Sequence, residues 1–380
     1  MIMQVRNPVY LSLITLCLSA CTVGEDYKNP GYDVDTQWDA LHDEEMDKSS
    51  VTQDDTESKL AGWWAWFSDE TLTFLVEEAL KNNNDLKIAK ARIKEARANE
   101  RLTNSAFFPQ IDAVGTGRRG TLGGFAGDRL DTSKQYGASG SWDIDLFGGN
   151  RRRDEAAEYS TQAAEASMEQ VRLVLVSDVA RNYIRLRGLQ KQRALTANNL
   201  GIQINAQKAV QARRDEKMVS QLEVERARAQ SQGTKARIPQ IKREINAAIN
   251  RLAVLTASKP RLVRELLTEP APIPTLPASI ALKLPINIIS SRPDVRIAER
   301  QLAEATALTG AAFAEFFPKI SLDAFLGKST SNVYGGLSPW NVTLNGLLPL
   351  LNFGRIQAGV DAADARQEQA FYNFRQAVLL

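Results

Sequence analysis

The pentapeptide Phe107-Phe108-Pro109-Gln110-Ile111 returns 209 positions later as Phe316-Phe317-Pro318-Lys319-Ile320, each time closing a polar, alanine-rich stretch. Laid without gaps, residues 85–111 match residues 294–320 at 10 of 27 positions, among them Asp85/Asp294, Ile88/Ile297, Ala89/Ala298 and Glu95/Glu304. Self-similarity at a fixed offset marks an internal repeat. Each proline clashes with the residue before it, which drives Phe108 and Phe317 out of the α region. A helix should stop there and a strand begin, because proline is tolerated at a strand's first residue. Paired phenylalanines at such a junction suit a membrane interface, although a core helix ending in a buried turn would read the same way.

Beyond each proline the period changes from helical to two. Tyr136, Ala138, Gly140, Trp142, Ile144 and Leu146 alternate with Gln135, Gly137, Ser139, Ser141, Asp143 and Asp145. Residues 110–117 form a weaker partner strand, and Arg118–Lys134 reads as a long glycine-containing loop. In the second copy Ile320, Leu322, Ala324 and Leu326 alternate with Ser321, Asp323, Phe325 and Gly327, and Trp340, Val342, Leu344 and Gly346 alternate with Asn341, Thr343 and Asn345. Four strands are therefore predicted, in hairpins over about 110–146 and 320–350. Such strands are long enough to cross a bilayer, which takes about 9–11 residues. Alternation alone does not name the solvent, because a half-buried soluble sheet shows it too.

The remaining segments are helical. Ser68 reads as the start of a first helix and Asp85 as the start of a second. From Arg151 to Arg214 there is no proline, which predicts one very long helix or two nearly continuous ones, roughly 95 Å at 1.5 Å per residue. Ala156, Ala157, Ser160, Ala163, Ala164 and Ser167 line it with small residues. Asp215–Ser220 turns the chain into a return helix over Gln221–Thr256, with a kink expected at Pro239. The first repeat thus covers 61–256. A proline-rich linker over 257–290, carrying Pro260, Pro270, Pro272, Pro274, Pro277 and Pro285, leads to a second repeat over 291–380 that ends with the start of a helix near Arg355.

At the start, Arg6, an apolar run from Val9 to Leu18, and Leu18-Ser19-Ala20-Cys21 make residues 1–20 a signal peptide with a lipobox. Cleavage removes Cys17 and leaves Cys21 as the only cysteine, acylated, so no disulfide forms within a mature chain. A tether over 21–60 follows, with ten acidic residues and one basic between Asp33 and Glu57. The net charge of +2, from 47 basic and 45 acidic residues spread along helices, gives no nucleic-acid surface. The single histidine, His42, sits in the tether, and no phosphate-cradling loop occurs, so neither catalysis nor a metal or cofactor is expected.

The lipobox, Gly24-Glu25-Asp26-Tyr27-Lys28-Asn29-Pro30, Trp63-Trp64 with Phe67 and Asp69, Trp142-Asp143-Ile144-Asp145-Leu146-Phe147-Gly148, and Arg292-Pro293-Asp294-Val295-Arg296-Ile297-Ala298-Glu299 occur in this order. In that arrangement the chain resembles the outer membrane factor family, the TolC-like, NodT-type lipoproteins of tripartite efflux pumps. The resemblance implies a membrane α+β fold. Each protomer of a homotrimer would give four strands to a shared outer membrane β-barrel, continuous with a long periplasmic α-helical barrel. Ser139, Ser141, Asp143, Asp145, Asp323, Asn341 and Thr343 would then face the lumen. Met218, Val219 and Ser220 would dock a periplasmic adaptor protein, which joins the channel to an inner membrane pump of the resistance-nodulation-division type. Relatives usually carry glycine before the apolar residue of that turn, where this chain has Lys217. The resemblance further implies that a second helical hairpin is missing after Leu380, so that this form would not make a properly gated channel. A type I secretion channel is an alternative of the same class, and a lipid-anchored periplasmic scaffold one of a different class.

Acylation of Cys21 is the expectation that follows from the lipobox alone. Each buried methylene contributes about 0.8 kcal/mol and stable anchoring takes more than one chain. Mass spectrometry of the membrane-extracted protein should show a multiply acylated, palmitate-bearing N-terminal residue; an unmodified Cys21 would remove the lipoprotein reading.

Overall fold

The computed structural model describes residues 22–32, 60–122, 129–275 and 285–380. The signal sequence, Cys21, His42, most of the acidic tether and part of the proline-rich linker lie outside the described residues. The chain divides into two compact units, one of residues 1–33, 92–166 and 289–380, the other of residues 34–91 and 167–288.

The second unit is helical. Its first helix, α1 (Glu70–Asn82), is capped by Asp69 rather than Ser68, because the Asp69 carboxylate accepts from the Leu72 amide at 2.8 Å. Ser68 instead takes a left-handed backbone, φ 50°. Leu72, Leu75, Val76 and Ala79, spaced by three and four, bury one face of α1. Trp63, Trp64 and Phe67 pack against the same core from the preceding 3-10 turn, Leu60–Phe67. Asn83 separates α1 from α2 (Asn84–Asn104). It is buried, and it accepts from the Asp85 and Leu86 amides while donating to the Leu255 carbonyl at 2.9 Å.

One helix, α3 (Gly149–Asp215), fills the long proline-free stretch. The return helix α4 (Gln221–Leu255) runs through Pro239, where the sequence predicts a kink, as a single helix, and α5 (Pro260–Leu267) follows. Val176, Val179, Tyr183 and Leu186 of α3 meet Ile245, Ile249 and Leu252 of α4 and Val263 and Leu267 of α5 in one core. Tyr183 is fully buried and donates its hydroxyl to Asp69 at 2.8 Å, so the carboxylate that caps α1 also ties it to α3. Burial pushes the Tyr183 phenol up, and Asp69 adds to the shift while Arg187 opposes it. Arg187, nearly buried, lies 5.0 Å from the Tyr183 ring and donates to the Glu269 carbonyl at 2.8 Å, which fastens the start of the linker.

The first unit holds the sheet. A 3-10 turn at Ser105–Phe107 ends the helix, Phe108 is extended (φ −110°, ψ 149°), and β1 (Gln110–Leu122) begins directly after Pro109. After α6 (Pro285–Ser291), α7 (Pro293–Phe313) ends the same way, with a turn at Ala314–Phe316, Phe317 at φ −94° and ψ 159°, and β3 (Lys319–Ser331) after Pro318. β1 pairs antiparallel with β2 (Arg129–Ile144), and β2 with β3. β4 (Gly335–Leu337) and β5 (Trp340–Leu347) both pair with β3 in one continuous register. They are one strand interrupted at Pro339, which has no N–H to give; the Gly327 amide still donates to the Pro339 carbonyl at 3.1 Å. The first hairpin is longer than its alternation suggests, since β1 and β2 continue into Arg118–Lys134, the stretch that reads as a loop. Arg118 and Arg119 are consecutive and so charge both faces, which erases the period-two signal there.

The last helix, α8 (Arg355–Leu379), packs along α7. Phe374 is buried against Val295, Ala298 and Leu302, with Phe371 and Val378 beside it. The sequence alone predicts that Phe371, Phe374, Val378, Leu379 and Leu380 lack a partner within the chain; this is corrected for Phe374, which α7 and Tyr32 cover, and for Phe371 and Val378 beside it, whereas Leu379 and Leu380 are exposed.

The segment after Cys21 is fastened to this unit. Val23 donates its amide to the Phe147 carbonyl at 3.2 Å, and Arg152 donates to the carbonyls of Val23 and Gly24 and to the carboxylates of Asp26 and Glu155. The Arg152 side chain is 2% exposed. Burial works against its charge, but the bonds to Glu155 and Asp26 outweigh that and hold its pKa above the ordinary value. Gly24, at φ 92°, sits so close to Gly310 that a Cβ would lie 2.6 Å from the Gly310 Cα. Farther along, Tyr27 and Asn29 both donate to Glu299, at 3.3 and 2.9 Å, and Arg300 pairs with the same carboxylate at 2.8 Å. Burial raises the Tyr27 pKa, with the Glu299 charge adding to it.

Arg152→Ala should destabilise the protein by about 2–3 kcal/mol, because it leaves the Val23 and Gly24 carbonyls without their donor, while the exposed Asp26 stays solvated. Asp26→Asn should change stability by less than about 1 kcal/mol. Denaturant unfolding, with limited proteolysis near residue 24, separates the two outcomes.

Candidate functional site

Strand register sorts the sheet's side chains. Ser139, Phe325 and Asn341 share one cross-strand row; Ser141, Asp323 and Thr343 the next; Asp143, Ser321 and Asn345 the third. Because successive side chains alternate, all nine lie on one face, which β1 extends with Gln110, Asp112 and Thr116 opposite Ser141, Ser139 and Gln135. Six of the expected polar wall residues, Ser139, Ser141, Asp143, Asp323, Asn341 and Thr343, are thus brought together. The seventh is not: Asp145 lies beyond the end of β2, and its carboxylate accepts from the amides of Asn150 and Arg151 at 3.1 and 2.9 Å. It serves the first turn of α3, where unpaired amides favour an anion. Sequence alternation runs on through Leu146 and does not register that the strand has ended.

Asp112 and Gln110 are not singled out by the sequence as wall residues, and Asn345 enters only through the alternation. Asn345 donates to Asp323 at 2.5 Å, and Gln110 to Asp112 at 3.2 Å, so this face carries its own polar network. The alternation of residues 110–117 could have revealed Asp112 and Gln110, but Val114 and two glycines weaken it. The one aromatic on this face among the described residues, Phe325, has a reason. Gly137 and Gly327 stand opposite each other with backbones too close for any Cβ, and the Phe325 ring lies over Gly327.

The opposite face is apolar over a limited height. Its rows are Ile144–Ile320–Gly346, Trp142–Leu322–Leu344, Ile111–Gly140–Ala324–Val342, Ala113–Ala138–Leu326–Trp340 and Gly115–Tyr136–Lys328. These rows extend about 27 Å along the strands at 3.4 Å per residue. At a tilt near 40° that is roughly 20 Å, close to the ~25 Å apolar band of membrane barrels. Ile111, Leu326, Trp340, Val342 and Leu344 are each more than 60% exposed, an amount of apolar surface that water does not favour. At the base, Trp142 donates its indole N–H to the Phe107 carbonyl at 3.0 Å, and Phe147 stacks on Phe317 at 4.9 Å. No helix of the described residues is long and apolar enough to cross a membrane.

The turn between α3 and α4 is described by itself. The Met218 amide donates to Arg213 and the Lys217 amide to Arg214, both at 2.8 Å, which closes α3 with a Schellman motif. Its left-handed position falls on Lys217, φ 60°, where glycine carries no steric penalty. Met218 is 71% exposed, Val219 half-buried and Ser220 exposed, so the turn presents one flexible apolar side chain to solvent.

Known proteins share this arrangement. A family model described as outer membrane efflux protein matches residues 75–258 and 284–380. Nodulation protein T of Rhizobium leguminosarum bv. trifolii is 29% identical over 377 residues, covering 96% of this chain and 77% of that protein. The cation efflux system protein CusC of Escherichia coli K12 is 30% identical over 376 residues, covering 96% and 79%. Among solved structures, the outer-membrane channel OprN superposes with a TM-score of 0.85 at 30% identity, covering 94% of this chain and 80% of that one.

Lys217→Gly should stabilise the protein by about 1 kcal/mol, the left-handed penalty that the lysine carries, and Lys217→Val should destabilise it by at least as much. Equilibrium unfolding of the two variants gives the sign; a loss of stability on Lys217→Gly would contradict the left-handed geometry.

Proposed function

The chain belongs to the outer membrane efflux protein family, and from that premise we propose how it forms a conduit. It is an outer membrane channel component of a tripartite efflux system, with its sheet in the membrane and its helices extending into the periplasm. Three copies each contribute the β1-to-β5 sheet to one closed barrel, and their helices to one tunnel. The observation that carries this reading is the sorting of the sheet, polar and hydrogen-bonded on one face, apolar on the other only over a band of roughly 20 Å, close to that of membrane barrels. A water-exposed scaffold gains nothing from that band. β1 and β5 are the sheet's two edges, and unpaired backbone groups inside a bilayer are not tolerated, so pairing β5 of one copy with β1 of the next is the arrangement that removes them.

In this reading the channel is passive. Ser139, Ser141, Asp143, Asp323, Asn341 and Thr343 line water, and the apolar row above and below Val342 faces lipid. Met218, Val219 and Ser220 meet a periplasmic adaptor, through which a resistance-nodulation-division pump supplies energy and chooses the cargo. Acyl chains on Cys21 add a second hold on the membrane.

Single cysteines test the wall, since the mature chain has no other free thiol. A bulky aqueous thiol reagent should modify positions 139 and 323 in membranes and spare positions 138 and 342; equal access would overturn the barrel. Val342→Arg, in the middle row, should destabilise the assembly by about 2–4 kcal/mol, and Ile144→Arg, at the lower edge of the band, by less. In planar bilayers the channel should prefer cations, and Asp143→Asn with Asp323→Asn should weaken that preference.

A further inference from the structure

The acids of the sheet keep to one face. Asp112, Asp131, Asp143 and Asp323 all lie on the polar face by register, together with Arg118 and Lys319. The opposite face carries three cations, Arg119, Lys134 and Lys328, and no acid among the described residues. All three are exposed, and no ion pair engages them among the described residues. Their height is specific. Lys328 stands beside Tyr136 in the row that ends the apolar band, Lys134 one row farther from the helices, and Arg119 one row beyond that. They climb diagonally, one per strand, across about 14 Å measured along the strands. Gly115 and Gly117, beside Tyr136 and Lys134 on the same face, border open space: a Cβ added to either would meet nothing within 4 Å, so the flank of the cluster is accessible. Like charges gathered this way repel unless an anion lies among them.

We propose that Arg119, Lys134 and Lys328 bind the phosphate groups of glycolipid in the outer leaflet. The inference rests on the reading that this face meets the membrane, with the helices on the periplasmic side. The cluster is then continuous with the lipid-facing band and begins where acyl chains give way to headgroups. Tyr136, half in each environment, suits the boundary between them. A soluble polyanion would have no reason to seek a site joined to an apolar belt, whereas an amphiphile with a phosphorylated head satisfies both parts at once. Each cation near an anionic membrane surface is worth roughly fivefold in binding.

The test uses the full-length, membrane-extracted protein in mixed-lipid nanodiscs, with lipids bound next to it counted by native mass spectrometry. Bisphosphorylated lipid A should be enriched over zwitterionic phosphatidylcholine by at least about tenfold, and the R119Q/K134Q/K328Q variant should lose most of that enrichment. Dephosphorylated lipid A of the same acyl composition should not be enriched by the unaltered protein, an arm that needs no variant to fold. Inorganic phosphate at millimolar concentration should not displace the lipid. Equal enrichment of phosphorylated and dephosphorylated lipid A, an unchanged preference in an assembled triple variant, or displacement by free phosphate would each overturn the proposal. Channel conductance of the unaltered protein is recorded alongside; its loss would count against the conduit, and its persistence without lipid preference against the lipid site alone.

Discussion

Proline disfavours a helical residue before it, and at Phe108 and Phe317, unlike at Ile238 inside α4, the chain yields to that clash; the architecture of the first unit depends on it. Phe108 and Phe317 are both extended, each at the end of a single 3-10 turn, and a strand starts one residue after each proline. The preceding helices, the turns and the strands keep the 209-residue spacing of the prolines: α2 ends at Asn104 and α7 at Phe313, β1 covers 110–122 and β3 covers 319–331. Once the switch is placed, two strands enter the sheet at a common level, and cross-strand register follows. That register assembles Ser141, Asp323 and Thr343 into one row although they come from distant parts of the chain.

A second tier of interactions makes the base of the sheet rigid. Trp142 caps the Phe107 carbonyl, Asp145 caps the first amides of α3, and Arg153 reaches Glu315 at 3.0 Å, which in turn pairs with Lys319. The Lys319 side chain holds the Glu315 carboxyl below the usual range, with Arg153 contributing. Surface pairs of this kind each contribute little. Their value here is positional, since they sit where helix becomes strand and fix the angle between the two.

The period-two pattern and the two prolines make the sheet readable from the sequence alone. They do so because a strand has only two faces and a single slip would exchange them. What cannot be read is where the pattern loses meaning. Arg118 and Arg119 sit above the apolar band, where both faces are polar, so β1 and β2 continue there without a signal. Asp145 keeps the phase of β2 but has already become a helix cap. Lys217 is legible as a departure from glycine, yet only its φ of 60° shows that the lysine accepts the left-handed place and leaves the turn intact. Phe374 reads as uncovered because its partners on α7 lie some seventy residues earlier, a separation over which no local pattern carries information. The polar-wall residues on β1 escape notice for a different reason: glycines 115 and 117 have no side chain with which to show a face.

The seat of the N-terminal segment has a consequence for the order in which the protein can be built. Thr22 rests on Gly148, Gly24 on Gly310, and Tyr27 on Glu299, contacts that close loops of 126 to 272 residues in the cases of Asp26–Arg152 and Tyr27–Glu299. Contacts of such high sequence separation form late, because the entropy of closing the loop must be offset by structure already in place. Residues 22–29, made early in synthesis, are therefore among the last to reach their native positions. With the acyl chains proposed on Cys21, the lipid would be in the bilayer while its seat was still unmade, and the chain would fold as a tethered polymer drawn down onto its own anchor.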